Sequence, residues 1–257
     1  MNHCCLPADI NDLDNKFDRG RAEKEACAYL EIGPGKRIEK MLAFFHSGSA
    51  QPCSVLDIGC GVGGAHFELL RNGLAREAVG VEASTGYIFE AEKIANALSL
   101  EAQVRYQRLD FAQGHDGIGP ADVVILGRVI CCYPHLEPLL APAAERARQY
   151  LVLSTPREGW GVRFYEWVIN GIRRLLKSKF FTFIHPHAEI RRITAEKGLG
   201  PVFQDRTGSW QLMVFARQLT QYMVYNNLPD CLRATTSSMN PHLECVHRSI
   251  LKPAASR

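Results

Sequence analysis

From Val55 to Gly64 the chain reads Val-Leu-Asp-Ile-Gly-Cys-Gly-Val-Gly-Gly, an apolar run that breaks into a cluster of glycines. This pattern predicts a buried strand that feeds a tight turn and then a helix. Gly59 and Gly61 permit positive φ and a close approach of backbone to ligand. The opening amides of the helix would face a carboxylate or a phosphate. Read literally, Gly59-x-Gly61-x-x-Gly64 also satisfies the dinucleotide fingerprint, so the glycines alone do not choose the ligand.

The same alternation of apolar runs and amphipathic stretches continues beyond this turn and predicts an α/β domain. Strands are expected at Cys53–Ile58, Ala78–Glu82, Val104–Leu109, Asp122–Leu126 and Tyr150–Ser154, with helices near Gly63–Asn72, Gly86–Ser99 and after Pro134. A helix near Ala188–Lys197 then precedes strands at Val202–Asp205 and Trp210–Ala216, joined through Gly208-Ser209 as a hairpin. Five parallel strands closed by an antiparallel hairpin is the expected topology.

A length of 257 residues, with 46% hydrophobic and 22% charged, suits one large soluble domain with appendages. Thirty Lys and Arg against 27 Asp and Glu leave +3, which predicts no general attraction to nucleic acid or anionic membrane. No apolar run approaches the ~18 residues of a membrane span, and the first residues lack the features of a secretion signal. A cytoplasmic protein is expected. The nine cysteines include no Cys-x-x-Cys pair, and no metal site is expected. His242 and His247, together with His3-Cys4-Cys5, fit no known zinc spacing.

Residues 1–50 read as a helical cap with helices near Arg21–Leu30 and Lys36–Phe45, residues 51–217 as the ligand-binding domain, and residues 218–257 as a loosely ordered tail. Within the domain, residues 157–186 read as an inserted lid. There Trp160, Phe164, Trp167, Gly171 and Leu175 recur at helical spacing, opposite Arg163, Arg173, Arg174 and Lys177. The expectation is a lid packed on the domain above a hydrophobic ligand, rather than a helix resting on a membrane.

Three acids decide the ligand. Asp57 sits at the carboxyl mouth of the first strand, where an open α/β sheet binds ligands. Its charge would repel a pyrophosphate but suits an ammonium and a sulfonium. Glu82, ending the second strand, suits a pair of ribose hydroxyls, and Asp110 followed by Phe111 suits an adenine amino group and ring. S-adenosylmethionine offers all of these groups, whereas a nicotinamide dinucleotide needs only the ribose acid.

On Asp57-x-Gly59-x-Gly61-x-Gly63, Glu82, Asp110 and the fourth-strand run Ala121-Asp122-Val123-Val124-Ile125-Leu126-Gly127-Arg128, the chain resembles class I S-adenosylmethionine-dependent methyltransferases over residues 36–217. The resemblance implies a Rossmann-like sheet of seven strands, mostly parallel with an antiparallel last strand, and S-adenosylmethionine as cofactor. It implies cofactor contacts from Asp57, Gly59, Cys60, Gly61, Glu82, Ala83, Asp110, Phe111, Gly127 and Arg128. The segment Val129-Ile130-Cys131-Cys132-Tyr133-Pro134 and the helical insertion also look like magnesium-protoporphyrin O-methyltransferases and their small-molecule relatives, which often carry His where Cys132 stands here.

The expected activity is methyl transfer to an oxygen or sulfur of a small, partly hydrophobic acceptor. Such a displacement needs alignment, exclusion of water and, for a weakly acidic acceptor, a base. Tyr133, His135 and His185 are the candidate catalytic residues, and Cys131-Cys132 could meet a soft acceptor. The alternatives are a silent cofactor sensor or subunit, a methyltransferase of RNA or protein, and a nicotinamide-dependent oxidoreductase. No basic patch with interleaved aromatics points to nucleic acid.

Overall fold

The computed structural model describes residues 17–47, 53–178 and 180–217. The predicted tail and the histidine- and cysteine-bearing ends lie outside these residues.

The glycine-broken run folds as expected. Strand β1 (Cys53–Ile58) enters the turn and α3 (Gly64–Arg71) leaves it, preceded by α1 (Arg19–Ile32) and α2 (Lys36–His46). Then follow β2 (Ala75–Glu82), α4 (Thr85–Ala97), β3 (Val104–Arg108), β4 (Ala121–Gly127), a 3-10 turn at Ile130–Cys132, α5 (Glu137–Arg146), β5 (Ala147–Pro156), α6 (Trp160–Leu175), α7 (His187–Glu196), β6 (Leu199–Thr207) and β7 (Trp210–Arg217). The sheet has seven strands in the order β3-β2-β1-β4-β5-β7-β6. The pairs from β3 to β5 are parallel, and β7 runs antiparallel to both β5 and β6.

Strand alternation divides the core in two. Val55, Val123 and Ile125 pack with α1 to α4 on one side, while Leu56, Ile58, Val124 and Leu126 pack with α5 and α7 on the other. Each fully buried aliphatic side chain of this set contributes about 1.5–3 kcal/mol. Chain order reverses between β1 and β4, which opens a crevice at the carboxyl ends of these strands.

The N-terminal helices are built into the domain rather than set apart from it. Asp18 caps α1 by accepting from the Arg21 N–H at 2.8 Å. Ser84 caps α4 and donates its hydroxyl to the Phe17 carbonyl at 2.6 Å, tying the start of α1 to the second strand mouth. In α2, the Phe44 ring lies 5.7 Å from Tyr150 and 5.3 Å from Phe203, and Lys40 pairs with Asp205 at 2.7 Å. Cys27, Cys53, Cys60, Cys131 and Cys132 are free thiols. Among the described residues, no helix is long and apolar enough to cross a membrane.

The insertion departs from expectation. Helix α6 has no buried residue, and its apolar face points away from the domain. Trp160, Trp167 and Leu175 are 86%, 72% and 84% exposed.

Candidate active site

A cavity of about 630 Å³ opens at the carboxyl ends of β1, β2, β4 and β5. Its floor is the glycine turn, where Gly59 and Gly61 adopt φ of 64° and 58°. Residues from α1 and α2, including Arg21, Tyr29, Arg37 and Met41, wall its opposite side. Ten of the residues singled out from sequence line this space: Asp57, Gly59, Cys60, Gly61, Glu82, Ala83, Phe111, Gly127, Arg128 and Tyr133.

Glu82 anchors the floor. One carboxylate oxygen accepts from the Gly61 N–H at 2.9 Å, and the other accepts from Ala83 and Ser84 N–H at 2.8 and 3.1 Å. Burial pushes its carboxyl above the usual range, and the three backbone donors oppose that shift. The oxygen that accepts from Gly61 keeps further acceptor capacity for a ligand hydroxyl, whereas the other is filled by Ala83 and Ser84.

Asp57 is held from behind by a residue that sequence reading did not single out. His66, in the first turn of α3, places Nδ1 2.9 Å from Asp57 Oδ2 and Nε2 3.2 Å from the Tyr106 hydroxyl. The signal was its position: the third residue after Gly63 returns a side chain to the strand it follows.

Asp110 departs from its expected role. Its carboxylate accepts from the Tyr133 hydroxyl at 2.7 Å and the Gln113 amide at 2.8 Å, and it does not line the cavity. An acid expected at the adenine and a tyrosine expected at the acceptor are thus partners of each other. Burial, followed by the Asp110 charge and hydrogen bond, pushes the Tyr133 hydroxyl well above its ordinary range. Such a hold disfavours the phenolate, the form that would accept a proton.

The two candidate histidines also lie elsewhere. His135 is exposed beside a separate shallow depression formed with Pro134, Glu137 and Glu189. His185 is buried, and its Nε2 lies 3.1 and 2.9 Å from the carbonyls of Ile130 and Tyr133. Two acceptors require Nε2 to carry its proton and donate, so the ring pins the segment after α6 to the turn after β4. Neither ring lines the main cavity.

At the β7 side, two cations converge. The guanidinium carbons of Arg37 and Arg128 lie 5.3 and 5.4 Å from the Trp210 ring centroid, and all three residues line the cavity. Burial, and then the charge of Arg128, lower the Arg37 pKa to about 10. Arg37 stays cationic at neutral pH, and neither guanidinium has a carboxylate in salt-bridge contact among the described residues. Cys131 and Cys132 also face this space. Both thiols donate to the Arg128 carbonyl, at 3.4 and 3.8 Å, and the interaction between the neighbouring pair favours ionisation of Cys131 and disfavours that of Cys132.

Residues 55–151 match a family model described as a methyltransferase domain. No curated protein sequence matches the chain. Among solved structures, the chain is similar to magnesium protoporphyrin IX methyltransferase from Synechocystis with bound S-adenosylmethionine. That likeness has 20% identity and a TM-score of 0.62, covering 85% of this chain and 100% of that one. It is similar to an O-methyltransferase family 2 protein from Planctomyces limnophilus in complex with apigenin, at 15% identity and a TM-score of 0.60, covering 78% of this chain and 62% of that one. It is also similar to the N-methyltransferase NodS from Bradyrhizobium japonicum in complex with S-adenosylhomocysteine, at 15% identity and a TM-score of 0.53, covering 71% and 86%. The methyltransferase-domain match thus spans residues 55–151, and the seven-stranded sheet with its reversed β7 is the fold that this chain shares with these structures.

Proposed function

We propose that the protein transfers the methyl group of S-adenosylmethionine to an oxygen or sulfur atom of a small acceptor that is partly hydrophobic and bears negative charge. The observation that carries this reading is the polarity of the main cavity along the sheet. Glu82 and the glycine turn lie at its β2 end, while Arg37, Arg128 and Trp210 lie at its β7 end. Four strand spacings separate β2 from β7, or roughly 19 Å. That is ample for a cofactor bound by its ribose at one end and an acceptor met at the other. Two guanidiniums beside an indole ring suit a carboxylate or phenolate carried on an apolar frame.

The chemistry asks little of the protein beyond placement. The acceptor's lone pair attacks the methyl carbon, the carbon–sulfur bond breaks, and the sulfonium leaves as a neutral thioether. An acceptor already ionised beside Arg37 and Arg128 needs no base, which agrees with a cavity wall that holds no histidine among the described residues and where burial raises the hydroxyls of Tyr29 and Tyr87 well above their ordinary range. Among the similar structures, one is a magnesium protoporphyrin IX methyltransferase and another is in complex with apigenin, and both names refer to partly hydrophobic molecules.

Calorimetric titration with S-adenosylhomocysteine, with the nicotinamide dinucleotide in parallel, tests the cofactor half. Binding of the first alone is expected, and Glu82→Ala weakens it by more than about 1.5 kcal/mol. Binding of the dinucleotide alone overturns the reading. Uptake of labelled methyl from S-adenosylmethionine by phenols, carboxylic acids and thiols tests the acceptor half. Arg37→Ala is expected to raise KM for anionic acceptors with little change in affinity for S-adenosylhomocysteine.

A further inference from the structure

Helix α6 is mounted with its polar side inward. Asn170 donates to the Thr182 carbonyl at 2.7 Å and accepts from the Thr182 N–H at 3.1 Å, Arg173 donates to the Thr182 hydroxyl at 2.8 Å, and that hydroxyl donates to Glu166. On a helical wheel, Trp160, Phe164, Trp167, Gly171 and Leu175 fall within an arc of about 80° on the other side. Phe164 is 60% exposed and its ring stacks with Trp167 at 6.0 Å. A helix that turns such a face to water reverses the usual amphipathic rule and marks an interaction surface. None of these five residues lines the cavity, so the face does not roof the acceptor.

The charge pattern selects the occupant. Arg163 and Arg174 border the apolar arc on the wheel, and Lys177 follows at the helix end. The one acid of the helix, Glu166, is turned inward onto Thr182. The outward charge is therefore entirely positive. A second copy of the helix packed on this face would bring like charges and no acid to meet them. A bilayer carrying anionic lipid offers both an apolar layer for the rings and phosphates for the arginines. We propose that α6 docks the protein peripherally on an anionic lipid surface, with Trp160, Phe164, Trp167 and Leu175 at headgroup depth. The chain's overall charge of +3 is too small to drive such binding, and the attraction is local to this helix.

Two of the three tryptophans of the chain lie on this face, so emission reports docking directly. The full chain is titrated with vesicles of mixed phosphatidylcholine and phosphatidylglycerol, and with vesicles of phosphatidylcholine alone, and co-flotation is measured alongside. A blue shift and flotation with the anionic vesicles are expected. The double substitution Trp160→Ser with Trp167→Ser lowers partitioning at least about tenfold. Arg163→Glu with Arg174→Glu removes the preference for anionic lipid, and guards against loss of folding in the first variant. Unchanged affinity for S-adenosylhomocysteine in both variants is the check on fold, and wild-type docking without cofactor keeps the test independent of the methyltransferase reading. No shift with anionic vesicles, equal binding to both vesicle kinds, or a dimer in sedimentation velocity that the same substitutions dissociate would each overturn the proposal.

Discussion

His66 Nδ1 lies 2.9 Å from Asp57 Oδ2, with the two side chains 0% and 2% exposed, and this contact holds Asp57 from behind the cavity wall. A carboxylate so buried needs a partner, and His66 is its only side-chain partner among the described residues. Replacing His66 by Ala leaves Asp57 uncompensated. The expected loss is about 3 kcal/mol of stability in urea titration, with weaker binding of S-adenosylhomocysteine. A loss below about 1 kcal/mol would show that Asp57 is satisfied from elsewhere.

The pairing of Tyr133 with Asp110 makes the tyrosine a structural tie. Tyr133→Phe is expected to cost about 1–2 kcal/mol of stability while kcat stays within about tenfold of wild type. A fall in kcat of about a thousandfold, with stability unchanged, would restore Tyr133 as a base.

Asp122 clasps neighbouring strands through Ser54. The Ser54 N–H and hydroxyl both donate to its Oδ2 at 2.9 Å, and the Asp122 N–H donates to the Ser54 hydroxyl at 3.0 Å. Burial acts to raise the Asp122 pKa, but these hydrogen bonds, with the charges of Arg76 and Arg148, outweigh it and hold the group below its ordinary value. A folded pKa below the unfolded one gives stability that is present above the unfolded value and lost as pH falls through the folded one. Asp122→Asn should therefore cost about 1 kcal/mol near neutral pH, and the difference from wild type should shrink below about pH 4. A difference independent of pH would refute the assignment.

Two glycines of the site separate space needed by the chain from space kept for a ligand. Gly63 has φ of 90°, and a Cβ there would stand 2.5 Å from the Phe67 ring and 2.7 Å from His66 Nε2. Gly63→Ala is expected to destabilise by about 2–4 kcal/mol. At Gly127 a Cβ meets nothing within 4 Å, yet the residue lines the cavity. Gly127→Ala is expected to change stability by less than about 0.5 kcal/mol while weakening S-adenosylhomocysteine binding. Equal melting behaviour of the two variants would contradict this division.

Much of this protein was legible in its residue order. The strand–turn–helix at Val55 to Gly64, the parallel repeats and the hairpin at Gly208-Ser209 follow from local periodicity and turn chemistry, and all appear in the sheet. The residues on the floor of the cavity were legible for the same reason: a strand mouth and a glycine turn are local features, and the fold class dictates where they point. Strand ends were less legible. β5 begins at Ala147 and not Tyr150, because pairing with β4 extends the strand past its apolar run.

What the sequence by itself determined is the fold class, the strand mouths and glycine turn that floor the cavity, and the set of residues available there. Tertiary structure alone decided which side chains meet. Asp110 with Tyr133 spans 23 positions, His185 with Ile130 spans 55, and Arg37 reaches Trp210 across most of the chain. Such contacts leave no periodic trace, since each depends on how separately formed elements are brought together. The outward set of α6 belongs to the same class. Its amphipathic spacing was plain in the sequence, but which side faces the domain was settled by hydrogen bonds to Thr182, a residue beyond the helix itself.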